Sequence, residues 1–139
     1  MEAWSAPAGW TTAQRLPSAD PLGSGLPNLL RFALGSAPTS LSRPLATATT
    51  PGLPVVTYTR PTATRLTVAV TWLQREWWDD DLIYSAQIST DGQNWTTIGD
   101  GYSGTPVSPG WEICSAQQNY PTTASIPNKL LIRLKVATE

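Results

Sequence analysis

Apolar and polar residues alternate with a period of two through most of the chain after residue 54. This period is typical of β-strands, in which successive side chains point to opposite faces of a sheet. The clearest case is the last segment, where Leu130, Ile132, Leu134 and Val136 face one way, the pattern of a half-buried antiparallel strand. Six strands are predicted in all, over residues 55–60, 66–74, 82–90, 95–98, 110–115 and 130–136.

A turn is predicted between the third and fourth of these strands. Asp91 and Gly92 are residue types that supply the positive φ angles of a tight turn. We therefore expect the strand that ends at Thr90 and the strand that starts at Asn94 to form an antiparallel hairpin.

A helical pattern precedes the strands. Its apolar residues recur at helical spacing: Leu26, Leu29, Leu30, Ala33 and Leu34. Pro27 stands where a first-turn proline is tolerated, and Gly35 supplies a C-terminal stop. These features predict a short amphipathic helix over residues 27–34.

The patterns divide the chain into three parts. Residues 1–36 form a helical segment, residues 37–54 form an extended connector with four prolines, and residues 55–139 form the strand-rich part. Six strands joined by turns favour two packed sheets. The predicted fold class is all-β, an immunoglobulin-like or fibronectin-like antiparallel sandwich with a short N-terminal helix.

Composition excludes several classes of partner. Of 139 residues only 14% are charged, the net charge is -1, and the nine Lys and Arg are scattered. A row of phosphates needs a basic stripe, so nucleic acid is not an expected partner. No segment approaches the roughly 20 apolar residues of a membrane span.

Residue types also disfavour catalysis. The chain has no histidine, which removes the commonest general base and the commonest zinc ligand. Glycoside hydrolysis needs two carboxyl groups about 5 to 10 Å apart, and the spacing selects no such pair. The candidate carboxylates are Glu76, Asp79, Asp80, Asp81, Asp91, Asp100 and Glu112. The lone Cys114 is interpreted as a small buried residue.

Residues 25–35 read GLPNLLRFALG, which is similar to the DGLPNLLEYALG signature of a carboxy-terminal β-sandwich domain in secreted verrucomicrobial and planctomycete proteins. Three later segments resemble that family in the same order: VTYTR at 56–60, YSAQISTDGQNW at 84–95 and LIRLKV at 131–136. The resemblance implies export, an extracellular or cell-surface location at the end of larger proteins, and no catalytic role.

The family loop before the helix resembles a calcium loop, and this chain retains only part of it. Asp20 and Asn28 persist, but Leu22 and Arg31 stand where acidic ligands would complete the site. We therefore expect no cofactor and a metal-free turn that caps the helix through Asn28 or Ser24. Calcium bound by Asp20 and Asn28 is the alternative.

Seven tryptophans exceed what one small core requires. Trp72 and Trp95 fall on strand patterns and are expected in the core, whereas the others lie in segments without a clear period. Tryptophan is enriched at the centres of protein interfaces. The predicted contact residues are Trp77, Trp78, Trp111 and Tyr102.

These observations predict a non-catalytic extracellular structural or accessory domain that makes protein contacts at a cell surface or in a surface assembly. The protein partner is either another chain or a copy of this one. A carbohydrate-binding module is the first alternative, because exposed Trp77 and Trp78 beside three aspartates resemble a sugar-binding surface. The competing interpretation has one of these indoles in the core and the aspartates guarding a strand edge. A small glycoside-active enzyme is the second alternative.

Overall fold

Two antiparallel sheets pack against each other in a computed structural model that describes residues 4, 8–40, 44–76, 82–100, 104–120 and 127–138. The strands are β1 (Val55–Thr62), β2 (Arg65–Arg75), β3 (Leu82–Ser89), β4 (Thr96–Asp100), β5 (Thr105–Ser108), β6 (Trp111–Tyr120) and β7 (Leu131–Thr138). A 3-10 turn (Ala13–Arg15) and helix α1 (Asn28–Ala33) precede them. None of the helices in the described residues has the length and apolar character to cross a membrane.

The strand order confirms the predicted all-β sandwich. One sheet has the order β1-β2-β6-β5 and the other has the order β4-β3-β7. The first order is that of the A-B-E-D sheet of immunoglobulin domains, and β3 and β7 take the places of strands C and F in the second. No described strand takes the place of strand G, on the far side of β7.

A cluster of buried residues lies between the sheets. Val70 and Trp72 of β2 are fully buried, as the alternation of that strand predicts. Ile132, Leu134 and Val136 of β7 pack against the same cluster from the second sheet.

Helix α1 belongs to the same core. Phe32 and Ala33 join the buried cluster, and the Tyr84 hydroxyl on β3 donates to the Ala33 carbonyl at 2.9 Å. Gly35 follows the helix with φ of +73°, as a C-terminal stop requires. A Cβ on Gly35 would lie 2.5 Å from the Pro51 Cβ, so glycine also lets the connector approach the helix end.

The predicted hairpin between β3 and β4 is confirmed, although its loop is longer than a tight turn. Gly92 has φ of +79°, and one carboxylate oxygen of Asp91 accepts the backbone N–H groups of Gln93 and Asn94, both at 2.8 Å. Hydrogen bonds from Asn94, then from Gln93 and the Ser89 hydroxyl, hold the pKa of Asp91 well below its usual range.

One sequence prediction fails in this half of the chain, and one strand was not predicted. Trp95 is not in the core: it lies before β4, half-buried, with the Arg133 guanidinium 3.9 Å from its ring centroid. Strand β5 was not predicted, because it has only four residues and one of them is Pro106. An edge strand tolerates proline, since one side of its backbone has no strand to pair with.

Candidate binding surface

Three of the four predicted contact residues, Trp77, Trp78 and Tyr102, lie outside the described residues. The fourth, Trp111, opens β6 and is half-buried. The guanidinium of Arg75 lies between two rings, 4.1 Å from the centroid of Phe32 and 4.9 Å from that of Trp111. Arg75 Nε also donates to the Phe32 carbonyl at 3.1 Å. Trp111 therefore helps hold helix α1 against the sheet.

Two further tryptophans continue this packing into the N-terminal segment. The ring of Trp4 meets Trp10 and Phe32 edge to face, with centroids 6.3 Å and 5.9 Å apart. Its indole N–H donates to the Ser36 carbonyl at 3.0 Å. Part of the tryptophan surplus therefore fastens the N-terminal segment to the sandwich.

The loop at Asp20 is closed by its own hydrogen bonds. One Asp20 oxygen accepts the N–H and the hydroxyl of Ser24, both at 3.0 Å, and the other accepts the Gly25 N–H at 2.6 Å. Burial acts to raise the pKa of Asp20, but these bonds and the Arg31 charge outweigh it and lower that pKa. Both carboxylate oxygens thus serve the turn.

Asn28 does not cap the helix as predicted, and neither does Ser24. The residue before α1 is Pro27, with no side-chain cap bond, and the Asn28 amide donates instead to the carbonyls of Gln14 and Leu16 at 2.7 Å and 3.0 Å. Within the described ranges no group of three or more His, Cys, Asp or Glu residues is placed to hold a metal ion.

Arg31 occupies the centre of this region. It is only 1% exposed, and its guanidinium donates to the Ser24 hydroxyl at 3.3 Å. It also donates to three connector carbonyls: Ala37 at 2.8 Å, Pro38 at 3.1 Å and Ser40. A buried arginine that collects carbonyls could not be predicted from the local pattern, which places it on a helix like any solvated cation.

Two side chains of β6 with chemically reactive groups, Cys114 and Glu112, are buried. Cys114 is 4% exposed, which confirms its interpretation as a small buried residue. Burial, with the nearby charges of Glu112 and Asp100, raises the pKa of its thiol to about 12. The Glu112 carboxylate accepts from the Gln74 amide at 2.6 Å inside the fold.

The open side of the sandwich is defined by two strand edges. Strand β3 lies across from β2, and β4 lies across from β6. The outer edges of β1 and β7 therefore fall on the same side. Strand β1 is exposed along almost its whole length, with Val56 and Tyr58 at 46% and 76% exposure.

A groove of about 460 Å³ runs beside β7, and we call it the β7 groove. Its apolar wall comes from the N-terminal segment and α1: Pro17, Pro27, Leu29 and Leu30. Its other wall is Arg133, Leu134, Lys135 and Val136. Successive residues of a strand point to opposite faces, so a groove lined by four consecutive residues lies along the edge of that strand. Its volume is within the roughly 300–1,000 Å³ of ligand pockets.

No protein-family model, curated protein or solved structure matches this chain. The family resemblance of residues 25–35 therefore stays a prediction.

Proposed function

We propose that this chain is a non-catalytic β-sandwich module that binds other proteins through the β7 groove. The observation that carries the proposal is the position of an apolar groove along the outer edge of β7, with which no strand of the described residues pairs. Such an edge offers unpaired backbone N–H and C=O groups to an incoming strand. The neighbouring apolar wall adds burial of side chains to that backbone pairing.

The regularity of β7 distinguishes it from the other edge strands of the described residues. Its pairing with β3 runs through eight consecutive residue pairs without a register break. The pairings of β1, β4 and β5 each contain a break, and proline stands in β1 and β5. Breaks and prolines are common protections of sheet edges. The straight edge of β7 is therefore the best suited to accept a strand.

The proposed setting is a cell surface or an extracellular assembly. It is supported by the resemblance of residues 25–35, 56–60, 84–95 and 131–136 to a domain of exported proteins. The proposed role is structural or accessory, since the Asp20 and Asp91 carboxylates are engaged in holding their own loops.

Leu30→Glu tests the groove, with Leu45→Glu as the matched control. Leu30 lines the β7 groove, whereas Leu45 is 61% exposed on the connector. Random twelve-residue peptides displayed on phage are selected on the wild-type chain, and the enriched peptides are then titrated against both variants. We expect Leu30→Glu to weaken binding by about tenfold or more, because a charge enters an apolar contact, and Leu45→Glu to leave binding unchanged.

Two results would contradict the proposal. One is a selection that enriches no peptide on the wild-type chain. The other is an enriched set that binds Leu30→Glu as well as Leu45→Glu, with circular dichroism and melting curves showing both variants to be folded.

A further inference from the structure

The β7 groove imposes a different chemistry on each face of an added strand. Leu134 and Val136 point toward the core, so inward side chains of a strand beside them meet the apolar wall that includes Leu29 and Leu30. Arg133 and Lys135 alternate with them and are exposed on the outer face. An added strand therefore meets apolar groups on one face and cations on the other.

The two cations on the outer face of β7 carry charges that no described carboxylate neutralises. The Arg133 guanidinium stacks on the Trp95 ring and donates to the Gln87 side-chain oxygen at 2.8 Å, so it lies over β3, on the side of β7 away from the groove. Both contacts are with uncharged groups, so they leave its charge unneutralised. Among the described residues neither Arg133 nor Lys135 forms an ion pair with a carboxylate. A carboxylate brought beside them gains attraction without displacing an existing charge partner.

Charge also argues against a second copy of this chain as the occupant. Two β7 edges paired with each other would oppose Arg133 and Lys135 to the same cations of the other copy. The free edge of β1 carries Arg60, and none of the residues of β1 is acidic. Like charges directly opposite each other destabilise a strand pair. Charge repulsion therefore disfavours pairing of the β7 edge with a second copy of this chain and favours an acidic strand.

We propose that the β7 groove takes an extended segment of another protein in which apolar and acidic residues alternate, added to the sheet as a strand beside β7. This inference rests on the proposed function and specifies its partner. The apolar residues of the segment face Leu29 and Leu30, and its carboxylates lie on the outer face of the sheet, where Lys135 is exposed and Arg133 adds its charge from over β3.

The test uses three synthetic nine-residue peptides that differ at alternate positions only. Valine alternates with glutamate in the first, with threonine in the second and with lysine in the third. Each is titrated by fluorescence anisotropy, at low and high salt, against the wild-type chain and against Arg133→Glu/Lys135→Glu. The control variant, Arg60→Glu/Arg65→Glu, makes the same change of net charge at exposed positions of the β1–β2 hairpin.

The expected order of affinity on the wild-type chain is glutamate, threonine, lysine, with on the order of a tenfold difference or more between the first and the last. High salt narrows this difference. The Arg133→Glu/Lys135→Glu variant reverses the order, and the control variant preserves it. A glutamate peptide with N-methyl groups on alternate amides binds more weakly than its parent, because it cannot donate those bonds to β7.

Each failure has a distinct signature. Glutamate and threonine peptides that bind equally, and that both lose binding on Leu30→Glu, overturn the acidic preference and leave the proposed function in place. An N-methylated peptide that binds like its parent overturns strand addition. If the wild-type chain binds none of the three peptides, the acidic preference is overturned. If the phage selection also enriches no peptide, the proposed function is overturned as well. Light scattering tests for a second copy as the occupant. A discrete dimer that persists in Arg133→Glu/Lys135→Glu but dissociates in Leu30→Glu would mean that a second copy fills the groove, and it would also overturn the inference.

Discussion

Arg31→Ala is expected to lower the free energy of unfolding by about 3 kcal/mol, because a buried guanidinium and all its hydrogen bonds are lost together. The guanidinium donates to the Ser24 hydroxyl and to the carbonyls of Ala37, Pro38 and Ser40 at the same time. Alanine would also leave a cavity under the connector, which adds to the cost. Urea unfolding monitored by circular dichroism measures the change.

The control for this variant is Arg60→Ala. Arg60 is exposed on β1, and its guanidinium donates to the Ala63 carbonyl at 3.0 Å. Its loss is expected to change stability by less than about 0.5 kcal/mol. Equal stability of Arg31→Ala and Arg60→Ala would show that Arg31 does not hold the N-terminal segment, the connector and the helix together.

Trp72→Ala is expected to destabilise the chain by about 3–5 kcal/mol, the usual range for removing a buried aromatic side chain. Trp72 is fully buried between the sheets, and its indole N–H donates to the Gln74 side-chain oxygen at 2.8 Å. The variant therefore loses both packing and a buried hydrogen bond. Thermal and urea unfolding are both measured. If the variant unfolds only in part, the thermal transition and the urea transition will disagree about the loss of stability.

Trp95→Ala is the matched control, because it deletes the same side chain from a half-buried position outside the core. Trp95 stacks against Arg133 and donates to the Gly92 carbonyl at 3.2 Å, at an exposed hairpin. We expect it to cost less than about 1.5 kcal/mol. A larger loss from Trp95→Ala than from Trp72→Ala would contradict the position of the core.

The strongly periodic elements could be predicted from the sequence. The alternation in β2 and β7 and the helical spacing before Gly35 each follow from one buried face, and one buried face leaves a readable pattern. Predicted helix 27–34 and α1 (Asn28–Ala33) differ by one residue at each end. The prediction of Trp95 as a core residue fails because it extends the strand pattern into the loop before β4. There the ring packs against Arg133 and not into the core.

The features that define the candidate site depend on contacts between distant parts of the chain. The β7 groove exists because Leu29 and Leu30 of α1 face residues 133–136, which are far away in the sequence. The role of Arg31 depends likewise on where the connector carbonyls fall. No local period encodes such juxtapositions. The alternation of apolar and basic residues in LIRLKV is visible in the sequence. That no described strand pairs with the outer edge of this segment is visible only in the structure.

The β7 groove and the outer edge of β7 lie on the same side of the sandwich, and this side is the proposed binding surface. The tryptophans at positions 4, 10 and 111 contribute to the packing of the N-terminal segment, which in turn places Pro27, Leu29 and Leu30 beside β7. Residues that stabilise the fold therefore also build the wall of the proposed binding site. Variants such as Arg31→Ala are expected to weaken peptide binding in proportion to the disorder they cause in that wall.

Hydrogen–deuterium exchange of backbone amides, with and without a saturating groove-binding peptide, tests strand addition to β7 most directly. An added strand bonds to the free edge, so we expect peptide to slow exchange in residues 131–138 and to leave residues 55–62 of β1 unchanged. Slowed exchange in β1 with none in β7, or binding that protects no strand, would contradict strand addition at the β7 groove.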